Sequence, residues 1–279
     1  MTDNRRIDPY DPTDGHRQVL ASIFWPVDAD SCFSDKVSYM PPATAKAYGQ
    51  EAQKMGLSND TFKSVEIEVC AVSTSPKNKS RCHAKKKRFP IAIFSSGSGN
   101  SRLIYNAMAR SIASFGNVVV LIDHPYDAII VEFPDGTVVE DGNMPEDTES
   151  LEKATQAQIF SKGLNKPFML LGRPKHSSED ATWVEFYKNL KGPKFELAVK
   201  GTVHRSFTDY PQLISALDLP EAAKKEAGHL FGSVEGQVLE NLISETVTGF
   251  MKICFGDGGS KQIEKVSDDI IVLTGTRLP

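Results

Sequence analysis

The residues of this chain best suited to chemistry lie in three short stretches, each read as following a β-strand. The first is SSGSGNS (Ser95–Ser101), which sets Gly97, Ser98 and Gly99 between a predicted strand and a predicted helix. Small residues there let a backbone N–H approach a ligand oxygen. A donor aimed at developing negative charge can contribute roughly 3–4 kcal/mol. On the residues alone the loop reads first as a plain glycine turn between strand and helix. The second stretch, DHPYD (Asp123–Asp127), puts His124 at a strand end, where it lines the rim at which open α/β sheets bind ligands. The third, GTVHRSF, places His204 just past another strand end. Ser98 becomes a nucleophile only if His204 comes within about 3 Å; otherwise Ser98 and Ser96 are loop residues. In HSSED, Ser177–Ser178–Glu179–Asp180 stands before an apolar helical pattern and reads as a helix cap and acidic first turn. His176 is expected at the surface. Cys32, Cys70, Cys82 and Cys254 match no zinc or redox spacing and are expected as free thiols. No Cys/His/Asp set has metal-ligand spacing, so no metal is implied.

These stretches need elements to position them, and hydrophobic periodicity supplies candidates. Arg17–Val27 reads as a strand closed by Pro26, and Met40–Gly56 as a helix entered through Pro41 and Pro42. Ser64–Ser73 alternates as a strand does. Ile91–Phe94 is a strand, Arg102–Gly116 a helix with a glycine stop, and Asn117–Asp127 an apolar strand typical of a parallel sheet. Strand, helix and strand in succession make a right-handed βαβ unit. Val131–Asn143 reads as a hairpin turning at Asp135–Gly136. Met144–Gly163 is polar and helix-prone. Beyond it come a strand at Lys166–Gly172, a helix at Glu179–Gly192, a strand at Lys194–His204 and an amphipathic helix at Glu235–Gly256. DDIIVLTG is a last strand or docked tail. No repeat or linker interrupts the pattern, so the expectation is one α/β domain over 1–279, with 1–17 a polar extension and 257–279 a tail.

Composition narrows the partners. The 279 residues are 40% apolar and 24% charged, with net charge -4, which suits a globular domain and excludes a general nucleic-acid binder. No apolar run approaches the roughly 20 residues that cross a bilayer. The polar start MTDNRRIDPYDP reads as no secretory signal, so the expected location is cytoplasmic. Lys77–Arg88 is strongly basic and has two compatible readings, a solvated loop and a contact with an anionic membrane surface.

The stretches Ile91–Gly136 and Lys166–Pro211, with RQVLASIFWPV and YMPPATAKAY, resemble the platelet-activating-factor acetylhydrolase family of α/β-hydrolases (1-alkyl-2-acetylglycerophosphocholine esterases). The resemblance covers about two thirds of the chain. It implies a mostly parallel sheet flanked by helices, a Ser–His–Asp mechanism, short-acyl phospholipid esters as substrates and no cofactor. It makes the backbone N–H of Ser98 an oxyanion donor, with Gly97, Gly99 and His124 at the substrate, and puts His204 in the position of the catalytic histidine. Asp180, after the strand preceding the histidine strand, becomes a substitute acid.

The resemblance is internally shortened. The family's G-x-S-x-G elbow occurs nowhere in the chain. Only about 25 residues separate the hairpin from KPFMLLG, where a single strand–helix–strand unit takes roughly 30. The elbow strand and its neighbour are therefore expected to be missing, together with the nucleophile and the acid. Their loss would leave a parallel edge unpaired, and KPFMLLG is expected to dock beside IAIFS and close it. Three functional readings follow: an ester hydrolase, a catalytically inactive homologue that binds a lipid or small ester, and a splice or gene-model product lacking an internal exon.

Overall fold

A computed structural model describes residues 1–28, 32–54, 56–71, 88–142, 162–179, 181–217, 219, 221–258, 263 and 266–275. Contacts gather into two compact units, Met1–Met144 and Pro145–Pro279.

In the first unit the strands are β1 (Thr2–Ile7), β2 (His16–Gln18), β3 (Leu20–Phe24), β4 (Phe33–Ser38), β5 (Glu66–Ala71), β6 (Ile91–Ser95), β7 (Val118–Asp123), β8 (Ile130–Glu132) and β9 (Val138–Glu140). Its helices are α1 (Pro42–Lys54) and α2 (Asn106–Ser114), the latter entered through a 3-10 turn, Arg102–Tyr105. The central sheet runs β3–β7–β6. Strands β6 and β7 are parallel, with Ile91 opposite Val118 and Ser95 opposite Ile122, and α2 crosses between them. This is the expected βαβ unit, with β3 added antiparallel on the far side of β7. Val119, Leu121 and Asp123 point to the buried face, where Ile104, Ala109 and Ile112 also lie. α1 is tied to β8: the backbone N–H and Oγ1 of Thr44 donate to Glu132 Oε2 at 2.8 and 3.2 Å. The hairpin β8–β9 turns at Asp135–Gly136, as its sequence predicts.

Strands β4 and β5 pair antiparallel, and a disulfide joins Cys32 to Cys70 with Cα atoms 4.9 Å apart. The expectation of free thiols is wrong for these two. Pairing Ser34 with Cys70 draws the residue just ahead of β4 to the end of β5, a proximity that 38 residues of separation conceal. Cys254 is a free, exposed thiol, and Cys82 lies outside the described residues.

The second unit holds β10 (Phe168–Gly172), α3 (His176–Glu179), α4 (Ala181–Asn189), β11 (Lys194–Val199), α5 (Tyr210–Ala216), α6 (Glu221–Phe231), α7 (Gly236–Cys254) and β12 (Ile270–Gly275). Its sheet runs β10–β11–β12, parallel then antiparallel. Phe195, Leu197, Ile253 and Ile263 form its core, with Phe250 of α7 edge-on to Phe195. The expected pairing of KPFMLLG with IAIFS is not among the described ladders. β10 takes β11 as its ladder partner, β6 takes β7, and the two strands belong to different sheets. No strand lies between β9 and β10 among the described residues. Within the same limit, no helix is long and apolar enough to cross a membrane.

Candidate active site

Ser101 and Arg102 open the 3-10 turn, and Asp123 at the end of β7 holds them. Its Oδ1 accepts from Ser101 Oγ at 3.2 Å and from the Arg102 backbone N–H at 2.5 Å, while Oδ2 pairs with the Arg102 guanidinium. The Arg102 Nε–H donates to Ser22 Oγ of β3 at 2.8 Å. Asp123 is fully buried and Arg102 nearly so. A buried carboxylate needs such a partner set, because its desolvation is otherwise uncompensated. One acid thereby fixes the start of the helix, the end of β7 and the strand beside it.

The same clamp fixes the loop in front. The Gly97 N–H donates to Tyr105 Oη at 3.3 Å, and the Asn100 N–H closes a turn on the Gly97 carbonyl at 3.0 Å. Gly99 has φ +76°, a left-handed conformation that glycine adopts at little cost. The Gly99 carbonyl accepts from the Ile129 N–H at 3.1 Å. Ser98 Oγ donates to Asp127 Oδ1 at 2.8 Å, so its hydroxyl ties the loop to the DHPYD turn. Its backbone N–H makes no hydrogen bond among the described residues, as an oxyanion donor requires. Ser96 is buried and donates to the Ile122 carbonyl at 3.3 Å.

His124 lies beside this loop. Its Nε2 is 2.7 Å from Ser95 Oγ, and both side chains are exposed. Reading the residues one by one misses this pair. The signal is the parity of the strands: Ser95 opposes Ile122, and His124, two residues further on, returns to the same face. Next to it, Tyr126 has φ +69°, a costly conformation for a residue with a side chain. The Gly142 N–H donating to the Tyr126 carbonyl at 2.8 Å helps to hold it. The Tyr126 hydroxyl bonds Asp11, and burial together with that carboxylate pushes its pKa up to about 12. Tyr126, Asp11 and His16 line a cleft of about 370 Å3 within this unit.

His204 belongs to the second unit. It begins a 3-10 turn, His204–Phe207, five residues past the end of β11, and is exposed. Gly201 turns the chain there at φ +75°. Ser206 fixes the turn, its Oγ donating to the Phe231 carbonyl at 2.7 Å and accepting from the Val203 N–H at 2.8 Å. The imidazole of His204 makes no hydrogen bond among the described residues. Asp180, read as a substitute acid, lies outside the described residues, as does Lys77–Lys87 of the basic stretch. His176 is not at the surface: it is buried, with Nδ1 2.8 Å from the Arg173 carbonyl oxygen and Nε2 3.4 Å from Glu196 Oε1. A second cleft, about 650 Å3, is lined by Ile214, Leu217, Lys224, Phe231 and Glu235. Among the described residues no cluster of His, Cys, Asp and Glu is disposed to hold a metal ion.

The family model described as platelet-activating factor acetylhydrolase, isoform II, matches residues 13–158, which include the loop, Asp123 and His124 and end before His204. A curated relative, the probable 1-alkyl-2-acetylglycerophosphocholine esterase of Arthroderma benhamiae, is 32% identical over 132 residues, covering 46% of this chain and 34% of the relative. The match thus spans about a third of that relative's length. Among solved structures, the ferulic acid esterase from Streptomyces cinnamoneus superposes with a TM-score of 0.68, covering 98% of this chain and 94% of its own at 19% identity. That likeness establishes the α/β-hydrolase-type fold. The matched segment exceeds half of the chain, and the chain belongs to the platelet-activating factor acetylhydrolase family, isoform II type.

Proposed function

We propose that this protein is a carboxylic ester hydrolase acting on short-acyl phospholipids or closely related esters. The observation that carries the reading is the Gly97–Ser98–Gly99 loop, anchored by Tyr105, Asp127 and the Arg102–Asp123 pair at the C-terminal ends of two parallel strands. In this reading the Ser98 N–H stabilises the oxyanion, Gly97 and Gly99 let the ester approach, and His124 lines the substrate. His204 holds the family's histidine position and Asp180 supplies a substitute acid. We read both units as parts of one hydrolase-type domain, an assignment supported by the near-complete coverage of the chain by a single esterase structure.

The test is hydrolysis of phosphatidylcholines bearing an acetyl or a palmitoyl group at the second glycerol carbon. Turnover of the acetyl substrate well above that of the palmitoyl one is expected. A folded chain that cleaves neither overturns the reading.

The absence of G-x-S-x-G favours a second reading, in which the chain binds such esters without cleaving them. Calorimetric binding of the acetyl phospholipid with no product formed would select it. Contact of Lys77–Arg88 with anionic vesicles is compatible with both, and its signature is binding that weakens with salt. The Cys32–Cys70 disulfide favours an oxidising compartment over the cytoplasm. Thiol counting on protein from its native source decides between them.

A further inference from the structure

We infer that Ser95 is the nucleophile of this shortened chain and His124 its general base, an assignment that rests on the ester-hydrolase reading above. Three observations converge. Ser95 Oγ and His124 Nε2 are 2.7 Å apart, within the reach that proton transfer requires. Both groups are exposed at the C-terminal ends of parallel strands, where sheets of this class do chemistry. The Ser98 N–H, unpaired among the described residues, lies three residues along the same loop, while the Ser98 hydroxyl is engaged by Asp127 and the Ser96 hydroxyl is buried against the Ile122 carbonyl. Of the three serines in Ser95–Ser98, Ser95 alone has its hydroxyl on a histidine.

The pair is formed by the ladder and not by a strained turn. Parallel pairing sets Ser95 against Ile122, and strand alternation then brings His124 onto the face that Ser95 occupies. The Asp127 and Ala128 N–H groups donate to the His124 carbonyl at 3.2 and 3.0 Å and hold its backbone.

The step balances without any co-reactant beyond water. Ser95 Oγ forms a bond to the ester carbonyl carbon as its proton passes to His124 Nε2. The ester C–O bond breaks, and His124 returns the proton to the departing alcohol. Water, deprotonated by His124, then attacks the acyl-Ser95 carbonyl; the acyl C–Oγ bond breaks, the carboxylic acid leaves and His124 returns the proton to Ser95 Oγ. No carboxylate orients His124 among the described residues, so the pair acts as a dyad and its turnover is slow. An exposed dyad suits small, unhindered acyl groups, acetyl above all.

The experiment treats the full chain with a fluorophosphonate probe and follows it by intact mass and peptide mapping, beside Ser95→Ala, His124→Gln, His204→Ala and Ser96→Ala, each checked for folding by circular dichroism. One adduct is expected on the peptide carrying Ser95. It is absent in Ser95→Ala, forms about 100-fold more slowly in His124→Gln, and forms at the wild-type rate in Ser96→Ala. Labelling of another serine, loss of labelling in His204→Ala with His124→Gln unaffected, or no adduct on a folded chain overturns the assignment. Acetyl-phospholipid turnover that survives Ser95→Ala overturns it while leaving the hydrolase reading intact. Labelling of Ser95 without lipid turnover keeps the dyad and removes the phospholipid substrate.

Discussion

Asp123 carries its charge with no exposure to solvent, held there by Ser101, by the Arg102 backbone and by the Arg102 guanidinium. Removing it leaves a nearly buried guanidinium without its counter-charge, so Asp123→Ala should cost about 3–5 kcal/mol in urea unfolding. Methionine in place of Arg102 would lose the side-chain contacts to both Asp123 and Ser22. A second residue-scale prediction concerns pH. Tyr126 is held protonated up to about 12 by burial and by Asp11, whereas an unfolded tyrosine ionises near 10. The raised value means that the contribution is complete below pH 10 and is lost as pH climbs towards 12. Stability of the wild type should therefore fall more steeply over that window than stability of Tyr126→Phe. Asp11 works at the other end. Hydrogen bonds, chiefly from Thr13, hold its carboxyl below the usual range, so its contribution fades as pH falls below about 4. At this scale the sequence reveals residue types and strand ends, which is how the Ser98 loop and His124 become legible. It does not reveal who meets whom. The Ser95–His124 bond depends on the register of a ladder, and the Arg102–Asp123 pair on a contact between residues 21 apart.

Elements were legible wherever local periodicity is strong. β6, β7, the hairpin, β10, β11 and α7 fall close to where alternation, helical spacing and glycine stops put them. The run Arg102–Gly116 reads as one helix but divides into a 3-10 turn and α2, because Asp123 captures the N–H of Arg102 and Ser101 Oγ accepts from the Leu103 N–H. Those partners lie outside the helix pattern. Strand pairing was less legible than strand identity. The pattern marks IAIFS and KPFMLLG as buried-type strands but leaves their partners open; β6 pairs with β7 and β10 with β11. The disulfide is the other long-range item. It closes a loop of 38 residues, and in the chain-entropy view such a cross-link is worth about 3–4 kcal/mol. Reduction, or Cys70→Ser, should lower urea stability by that amount and expose the β4–β5 ribbon to proteolysis first. Because β4 and β5 stand apart from the β3–β7–β6 sheet, ester hydrolysis below the unfolding transition should change little.

The whole molecule poses one question that its two tryptophans can answer. Trp25 follows β3 in the first unit, and Trp183 packs near Phe186 in the second, their ring centroids 6.3 Å apart. Contacts divide the chain at Met144, whereas the esterase it resembles in fold covers 98% of it. One hydrolase-type domain unfolds as one cooperative unit, and coincidence of independent probes is the test of such behaviour. Trp25→Phe leaves only the reporter of the second unit, and Trp183→Phe only that of the first. Both substitutions keep an aromatic ring and should change stability by less than about 1.5 kcal/mol. Under the single-domain proposal the two variants give the same urea midpoint and slope, once each is referred to its own far-ultraviolet circular dichroism curve. Separate midpoints, or slopes that each account for about half of the expected exposed surface, would mean that the units fold independently. In that case a fragment ending at Met144 should label with the fluorophosphonate as the full chain does, because Ser95, His124 and the Ser98 N–H all lie within it. The unfolding curves therefore decide how much of the chain must fold for the proposed dyad to form.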